Sequence, residues 1–495
     1  MAWKIDWNTF LGSRRTKITL AVLIVIGLAL RLFLLWDRSI WFDEAVSVQI
    51  AHISFGEIFS AIANAEFNPP FYFLLLKAWM FFLPSIAWGE VLSVLFGIAA
   101  IPVIYRLGKV LYNESVGIIA AGILTFACLQ IRYSQEMRMY SLAVLLVLLS
   151  NYYFAKVTRE ERFRDGYSTW IKYVLVTVLS LYTHYYAVFN VLVQNAYLLL
   201  RYRDRGLRKL WMIAQGAVVV LLLPWIPSVL TQVLGVEEQY WIASPTIGKL
   251  FSVLIFLGDN LLSFAALFML AIGALCSFPQ LRQGKIVLRS EKRNFFLVGL
   301  IILPMLFSLV ISLFTQSILE ERYFILFAPA LYLLAAKGYS HLTTRWTEIG
   351  FGLLFFAGML LCLIPYYQSA NTDYRDAATF VERYHQSGVL VIHTQPSTVL
   401  PFRMYQRQPW PEYILSSKIL PPYLGGKWYH LDDYLTGTED ILALRPEQIV
   451  FIDVEEPNQK VARAMEGIAI QESQGNFGRV WVTIYRVTNP SARSP

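Results

Sequence analysis

Long apolar runs dominate the chain, and their length decides what they are. A bilayer core takes about 20 helical residues per crossing. Runs of that order fall near 18–36, 88–107, 114–131, 137–156, 169–183, 185–201, 209–230, 250–277, 294–314, 322–340 and 347–367, and they predict transmembrane helices. The first, Ile18 to Trp36, is too long for a signal-peptide core and has no small-residue cleavage site after it. Runs 169–183 and 185–201 are short and meet at Thr183-His184, which predicts a tight hairpin at a membrane surface. Pro69 to Leu83 is different. It is short, opens with two prolines and carries Lys77, so it predicts a helix lying in the interface rather than a span.

The distribution of positive charge sets the orientation. With eleven spans and a cytoplasmic N-terminus, the inside loops hold 23 Lys and Arg residues, whereas the outside loops of the membrane half hold six: Arg38, Lys77, Arg132, Arg138, Lys249 and Arg322. Counting Pro69–Leu83 as a span would invert every later loop and destroy that asymmetry. The expectation is a multi-pass plasma (inner) membrane protein with a cytoplasmic N-terminus and an extracytoplasmic C-terminal part.

After Tyr367 the pattern changes to normal charge density with no spanning run. Tyr374–Gln386 reads as a helix, and Val389–His393, Ile449–Val454 and Val480–Val487 read as short β-branched strands. The chain therefore divides into a membrane domain, 1–368, and a soluble α/β domain, 369–495. No internal repeat or low-complexity stretch is visible.

Composition agrees with this reading. Hydrophobic residues are 56% and charged residues only 15% of the chain, against about 25% charged in soluble domains. Collagen-like, disordered and disulfide-scaffold classes are excluded. Cys128, Cys276 and Cys362 all lie in apolar runs and offer no metal-ligand spacing. The net charge is 42 − 34 = +8, which does not point to nucleic acid; in a membrane protein the useful question is where the positives sit.

The ionisable residues of the outer loops carry the candidate chemistry. The longest loop, about 37–87, begins Trp41-Phe42-Asp43-Glu44-Ala45, two acids among aromatics at the mouth of the first helix. The next outer turn is Arg132-Tyr133-Ser134-Gln135-Glu136-Met137-Arg138-Met139-Tyr140. On a continuing helix Gln135, Arg138 and Met139 would share a face, as would Glu136 and Tyr140. Guanidinium groups match phosphate oxygens with paired donors. The plainer alternative is an Arg132–Glu136 surface pair of little energetic weight. Tyr182-Thr183-His184-Tyr185-Tyr186 forms the hairpin tip, and Glu320-Glu321-Arg322-Tyr323 opens the tenth span. Arg31 and Arg322, near span ends, must snorkel, pair or face a cavity. There is no Walker A, Rossmann fingerprint or HExxH, and Asp432-Asp433 is a weak nucleotide-sugar motif. Acids and arginines on one outer face suit a donor delivered from the membrane as a lipid phosphate.

In combination and order, WFDEAVSVQIA, NPPFYFLLLKAW, RYSQEMRMYSL and ERYFILFAPAL resemble the GT-C glycosyltransferases of the protein-mannosyltransferase and lipid A aminoarabinose-transferase type. The resemblance covers about residues 18–340. The tail, opening Tyr374-Arg375-Asp376-Ala377-Ala378, resembles the outer domain that bacterial members carry. It implies a GT-C membrane fold of about eleven transmembrane helices, interfacial helices in the first outer loop, and the C-terminal α/β domain. It implies transfer of a monosaccharide from a polyprenyl-phosphate donor to a hydroxyl acceptor (lipid, glycan or protein) on the outer face, with inversion. Asp43 would be the general base and Glu44 its orienting partner. Arg322 and Tyr323, helped by Arg132 and Arg138, would hold the donor phosphate. Gln135, Glu136, His184 and Tyr185 would line the acceptor side. No cofactor is obligatory on this reading, although some relatives use a divalent cation. One departure stands out: the aminoarabinose transferases have a lysine just before the Pro-Pro, where this chain has Asn68. The rival classes are a transporter or flippase of lipid-linked sugars, which should show broken helices and repeats at mid-membrane, and an O-antigen ligase or polymerase with arginine-rich outer loops.

Overall fold

The computed structural model describes residues 13–66, 68–158, 166–234, 242, 244–275, 280–282, 285–287, 292–368, 374–384, 389–415 and 434–488. Asp432-Asp433 and Cys276 lie outside the described residues. All eleven apolar runs are helical. In chain order the helices are α1 (Arg14–Leu32), α2 (Phe42–His52), α3 (Phe55–Ala65), α4 (Phe71–Met80) and α5 (Ile86–Leu111). There follow α6 (Glu114–Phe126), α7 (Cys128–Ser134), α8 (Tyr140–Val157), α9 (Gly166–Leu181), α10 (Ala187–Arg201), α11 (Arg205–Leu222) and α12 (Ile226–Leu234). The membrane half ends with α13 (Ile247–Leu257), α14 (Leu261–Leu275), α15 (Lys292–Phe314), α16 (Ala328–Tyr339) and α17 (Arg345–Gln368). Among the described residues α5, α8, α15, α17 and the run Arg205–Val233, through α11 and α12, are long and apolar enough to cross a membrane, and the pairs α6–α7 and α13–α14 pass the same test as bent spans. The chain is a polytopic helical membrane protein. The Pro69–Leu83 run forms only the ten-residue α4, entered through Pro70.

By contacts the chain forms two compact units. One holds residues 1–33 and 68–366; the other holds 34–67 together with 367–495. In the first unit α16 is the central element. It is buried from Ala328 to Gly338 and packs against α6, α14 and α15. Its one charge, Lys337, lies over the Tyr112 ring at 5.2 Å. Around it α5 packs on α6 and α8, and Gly108 meets Gly117 so closely that a Cβ would collide with backbone.

The break between α6 and α7 shows how a membrane protein tolerates an interrupted helix. The two pieces meet at 59° across Ala127. A bend orphans carbonyls on one side and amides on the other, and lipid cannot satisfy either. Arg31, fully buried, supplies the donors: its Nη1 reaches Thr125 O at 3.2 Å and Gly27 O at 3.2 Å, and its Nη2 reaches Leu124 O at 3.3 Å. Asp259 supplies the acceptors, taking Cys128 N–H at 2.9 Å and Leu129 N–H at 2.7 Å. Arg31 thus pairs with backbone, and its role is architectural. Replacing it by leucine strands the Leu124 and Thr125 carbonyls at the bend, each costing about 1–3 kcal/mol when buried and unmet, so Arg31→Leu is expected to destabilise the protein by about 2–6 kcal/mol. The check is the unfolding midpoint in detergent, with Asp259→Asn, which keeps one acceptor, falling less.

Helix α17 runs along this same junction. Phe356 packs edge-on against Phe126 at 5.0 Å, and Tyr366 donates to Gln135 at 2.8 Å. The structure corrects one expectation here. Residues 135–139 are not helical, because α7 ends at Ser134 and α8 starts at Tyr140. Gln135 and Arg138 therefore lie in a connection, not on one helical face.

The second unit is an α/β layer structure. Its strands are β3 (Val389–His393), β4 (Glu412–Leu415), β5 (Tyr434–Leu435), β6 (Gln448–Val454), β7 (Ala469–Phe477) and β8 (Val480–Val487), a small hairpin of β1 (Gln280–Arg282) and β2 (Lys285–Val287) belonging to the first unit. The sheet order is β5-β4-β3-β6-β8-β7, parallel from β5 to β6 and antiparallel at β8 and β7. Alternating residues of β3 point to opposite faces, and both are buried. Val389 and Val391 join Tyr374, Val381 and Phe402, from α18 (Tyr374–Arg383) and α19 (Val399–Arg403). Leu390 and Ile392 join Ile441, Val461 and Met465, from α20 (Thr438–Ala443) and α21 (Gln459–Met465). The three strands and one helix expected from sequence are all present. The first part of the outer loop, residues 34–67 with α2 and α3, belongs to this same unit.

Candidate active site

Within the membrane unit three connections bring charged residues together: the α7–α8 connection, the α9–α10 turn, and a 3₁₀ turn, Glu321–Phe327, that leads into α16. Arg138 is only 3% exposed and lies over the Phe73 ring at 5.9 Å. Arg322 lies over Tyr323 at 5.8 Å, with its Nε 3.8 Å from a Glu320 oxygen. Lys249, near the start of α13, reaches Glu321 at 3.3 Å and Glu320 at 3.7 Å. Opposite charges thus hold the entrance to α16 in place.

His184 lies within reach of the charge of both arginines. It is 2% exposed and walled by aromatic rings, with Tyr323 at 5.2 Å, Tyr140 at 5.8 Å and Tyr186 at 5.8 Å. Burial, together with the positive charges of Arg138 and Arg322, pushes its imidazole pKa down to about 3. The ring is therefore neutral at physiological pH. Its Nδ1 accepts the Tyr186 N–H at 3.1 Å, which leaves the proton on Nε2. That Nε2–H is buried and has no hydrogen-bond partner among the described residues. A buried unmet donor costs about 1–3 kcal/mol, a cost an incoming oxygen would offset. Two guanidinium groups, a neutral N–H and tyrosine rings form a cluster suited to an anionic, oxygen-rich group.

Other expected site residues are placed differently. Arg132 is the plainer case anticipated for it: more than half exposed and 3.5 Å from Glu136. Gln135 is a structural tie, its Nε2 donating to Arg31 O at 3.0 Å and Phe33 O at 2.8 Å while its Oε1 accepts from Tyr366. Tyr185 is anchored by Gln232 and by Trp225, whose Nε1 donates to its hydroxyl at 3.1 Å. The sequence pattern singles out neither Lys249, beyond its outside charge, nor the Tyr140 and Tyr186 walls; the signal for Lys249 is its place beside Thr246, the cap of α13.

In the second unit, Asp43 and Glu44 begin α2. Glu44 is buried, and its Oε2 takes the Trp41 N–H at 3.2 Å, closing the first turn. It is a helix cap, not a partner shown to orient Asp43. Asp43 is half-buried, and its carbonyl accepts from Ser47 Oγ at 2.9 Å. Among the described residues no three His, Cys, Asp or Glu side chains gather as a metal-holding group.

This architecture defines a class: the fold is that of the GT-C membrane glycosyltransferases. A family model described as dolichyl-phosphate-mannose-protein mannosyltransferase matches residues 68–230, from the entry to α4 into α12. Among solved structures, ArnT from Cupriavidus metallidurans bound to undecaprenyl phosphate superposes with a TM-score of 0.64 at 12% identity, over 96% of this chain and 99% of that one. The archaeal oligosaccharyltransferase AglB from Archaeoglobus fulgidus, in complex with an inhibitory peptide and a dolichol-phosphate, matches with a TM-score of 0.55 at 11% identity, over 94% and 71% of the two chains. Arabinofuranosyltransferase AftD from Mycobacteria matches with a TM-score of 0.52 at 14% identity, over 96% of this chain and 42% of that one. No curated protein matches the sequence significantly.

Proposed function

We propose that the chain is a membrane glycosyltransferase that moves a monosaccharide from a polyprenyl-phosphate carrier to a hydroxyl acceptor on the extracytoplasmic face. The carrying observation is the buried pair Arg138 and His184, the latter with its unmet Nε2–H, under the charge of the half-buried Arg322, in a fold shared with an ArnT bound to undecaprenyl phosphate. The acceptor oxygen attacks the anomeric carbon through an oxocarbenium-like transition state as the bond to the carrier phosphate breaks. Direct attack inverts the anomeric centre. Phosphate is a good leaving group, so the need is fixed positive charge where its charge grows and a base for the acceptor proton. Arg138 and Arg322 supply the first, with Tyr323 and the His184 N–H as neutral donors. Asp43 supplies the second, and Glu136 faces the acceptor side.

With the positive charge coming from arginines, turnover is expected to survive exhaustive EDTA treatment, and loss restored by Mg²⁺ or Mn²⁺ would refute this. Because His184 stays neutral, binding of a polyprenyl-phosphate sugar, a diester with no ionisation of its own in this range, is expected to show no step near pH ~6.5, where an ordinary histidine titrates. A step that disappears in His184→Asn would overturn that assignment. The two bent spans are the feature a transporter would share, but the groups freed at the first bend are bound by Arg31 and Asp259 instead of standing open to cargo. The deciding experiment incubates purified protein with a panel of polyprenyl-phosphate sugars and candidate acceptors and identifies products by mass spectrometry. Product from none of them, with a carrier that binds and is moved unchanged between leaflets, would replace this reading by transport.

A further inference from the structure

The segment leading to Asp43 is held by the C-terminal domain, and held at its backbone. Arg375, in the first turn of α18, donates through Nη2 to Trp36 O at 3.1 Å and to Arg38 O at 3.2 Å. Its own N–H, one of the orphan donors of a helix start, goes to Ser39 Oγ at 3.2 Å, and Ser39 is buried. The guanidinium lies over the Tyr405 ring at 5.4 Å. Tyr405 completes the grip, its hydroxyl accepting the N–H of the fully buried Ile40 at 3.0 Å. Beyond Ile40 the Trp41–Glu44 cap takes over, and α2 packs against α19 of the same domain. Every residue of this set belongs to one compact unit.

From this geometry we infer that Arg375 and Tyr405 are positioning residues for Asp43, and that the C-terminal domain serves the reaction by fixing the loop that presents the base. A loop without such ties would leave its first helical turn free to fray, and misplacing a reacting group by 1 Å costs about 10²-fold in rate. Both carbonyls are bound by the one Nη2, whose two N–H lie in the guanidinium plane, and that plane is steadied over the Tyr405 ring. A lysine ammonium could reach a carbonyl, but on its flexible stem it has no planar group to lie over Tyr405 and holds neither carbonyl in a fixed direction. The inference deepens the proposed function and rests on Asp43 being the base.

The test uses the full-length protein in proteoliposomes. Arg375→Ala is expected to lower kcat by about 10- to 100-fold with the donor KM within about twofold, and Arg375→Lys to recover little of the loss. Hydrogen–deuterium exchange adds a readout independent of turnover: peptides covering 36–47 should exchange faster in Arg375→Ala, while β6, at the centre of the sheet, stays protected. Tyr405→Phe removes only the Ile40 acceptor and should change both quantities in the same direction by less. It also serves if Arg375→Ala fails to fold. Wild-type kcat in Arg375→Ala, or a loss fully restored by lysine, overturns the proposal. Asp43→Asn is measured alongside: if it turns over normally, the base assignment fails by itself, while faster exchange in Arg375→Ala would still report the clamp.

Discussion

Asp43→Asn is expected to lower kcat by roughly 10²–10⁴, the usual contribution of a positioned general base, with little effect on folding or on carrier binding. The two neighbouring acids are not equivalent. Glu44 is buried and its carboxylate closes the first turn of α2 through the Trp41 N–H. Asp43 is half-buried at the helix start. An asparagine keeps its size and a side-chain oxygen but cannot take a proton from a hydroxyl. Glu44→Gln retains an oxygen for the Trp41 N–H and should lose less than tenfold, whereas Glu44→Ala should cost about 1 kcal/mol of stability through the lost cap. Turnover in proteoliposomes, paired with a thermal-shift response to polyprenyl phosphate, separates these cases. An Asp43→Asn protein that works at the wild-type rate removes Asp43 from the base role.

The same pair of acids shows what a sequence can and cannot disclose. Asp43-Glu44 was conspicuous because acids are rare beside aromatics at a span end, but nothing local said which of the two serves the helix. Apolar run length announced the helices, and the brevity of Pro69–Leu83 announced α4. The bends at Ala127 and Asp259 were invisible, since hydropathy is the same on both sides of a bend and what stabilises it comes from far along the chain. Arg31 meets Leu124 and Thr125 across more than ninety positions, and Asp259 meets Cys128 across 131. The helical face drawn through Gln135 and Arg138 failed for a similar reason. Gln135 is bound to Arg31, Phe33 and Tyr366, partners no local pattern contains, and the chain between α7 and α8 follows those ties. Arg375 was legible as part of a motif, but its duty was not, because the carbonyls it holds carry no sequence signature.

Charge burial orders the arginines of the membrane unit, and so predicts how unequal their substitutions are. Arg138 is almost wholly buried, and its charge presses on His184. Water screens it little, so in the proposed donor site it would act on a growing phosphate charge at short range and low dielectric. Arg138→Ala should therefore reduce kcat/KM by about 10²–10³ and weaken polyprenyl-phosphate binding. Lysine should restore the binding only in part, because a point charge replaces a fork. Arg322→Ala should act in the same direction by less. Its guanidinium is already near Glu320, and its removal also loosens the Lys249–Glu320–Glu321 group at the entrance to α16. Arg132, more than half exposed and paired with Glu136, should matter little, within about fivefold, as surface pairs are worth under ~1 kcal/mol. Initial rates over a range of carrier concentrations for the three alanine variants give the comparison. Equal losses at Arg132 and Arg138 would mean that burial does not decide which guanidinium meets the phosphate, and the assignment of the donor site to Arg138, His184 and Arg322 would have to be abandoned.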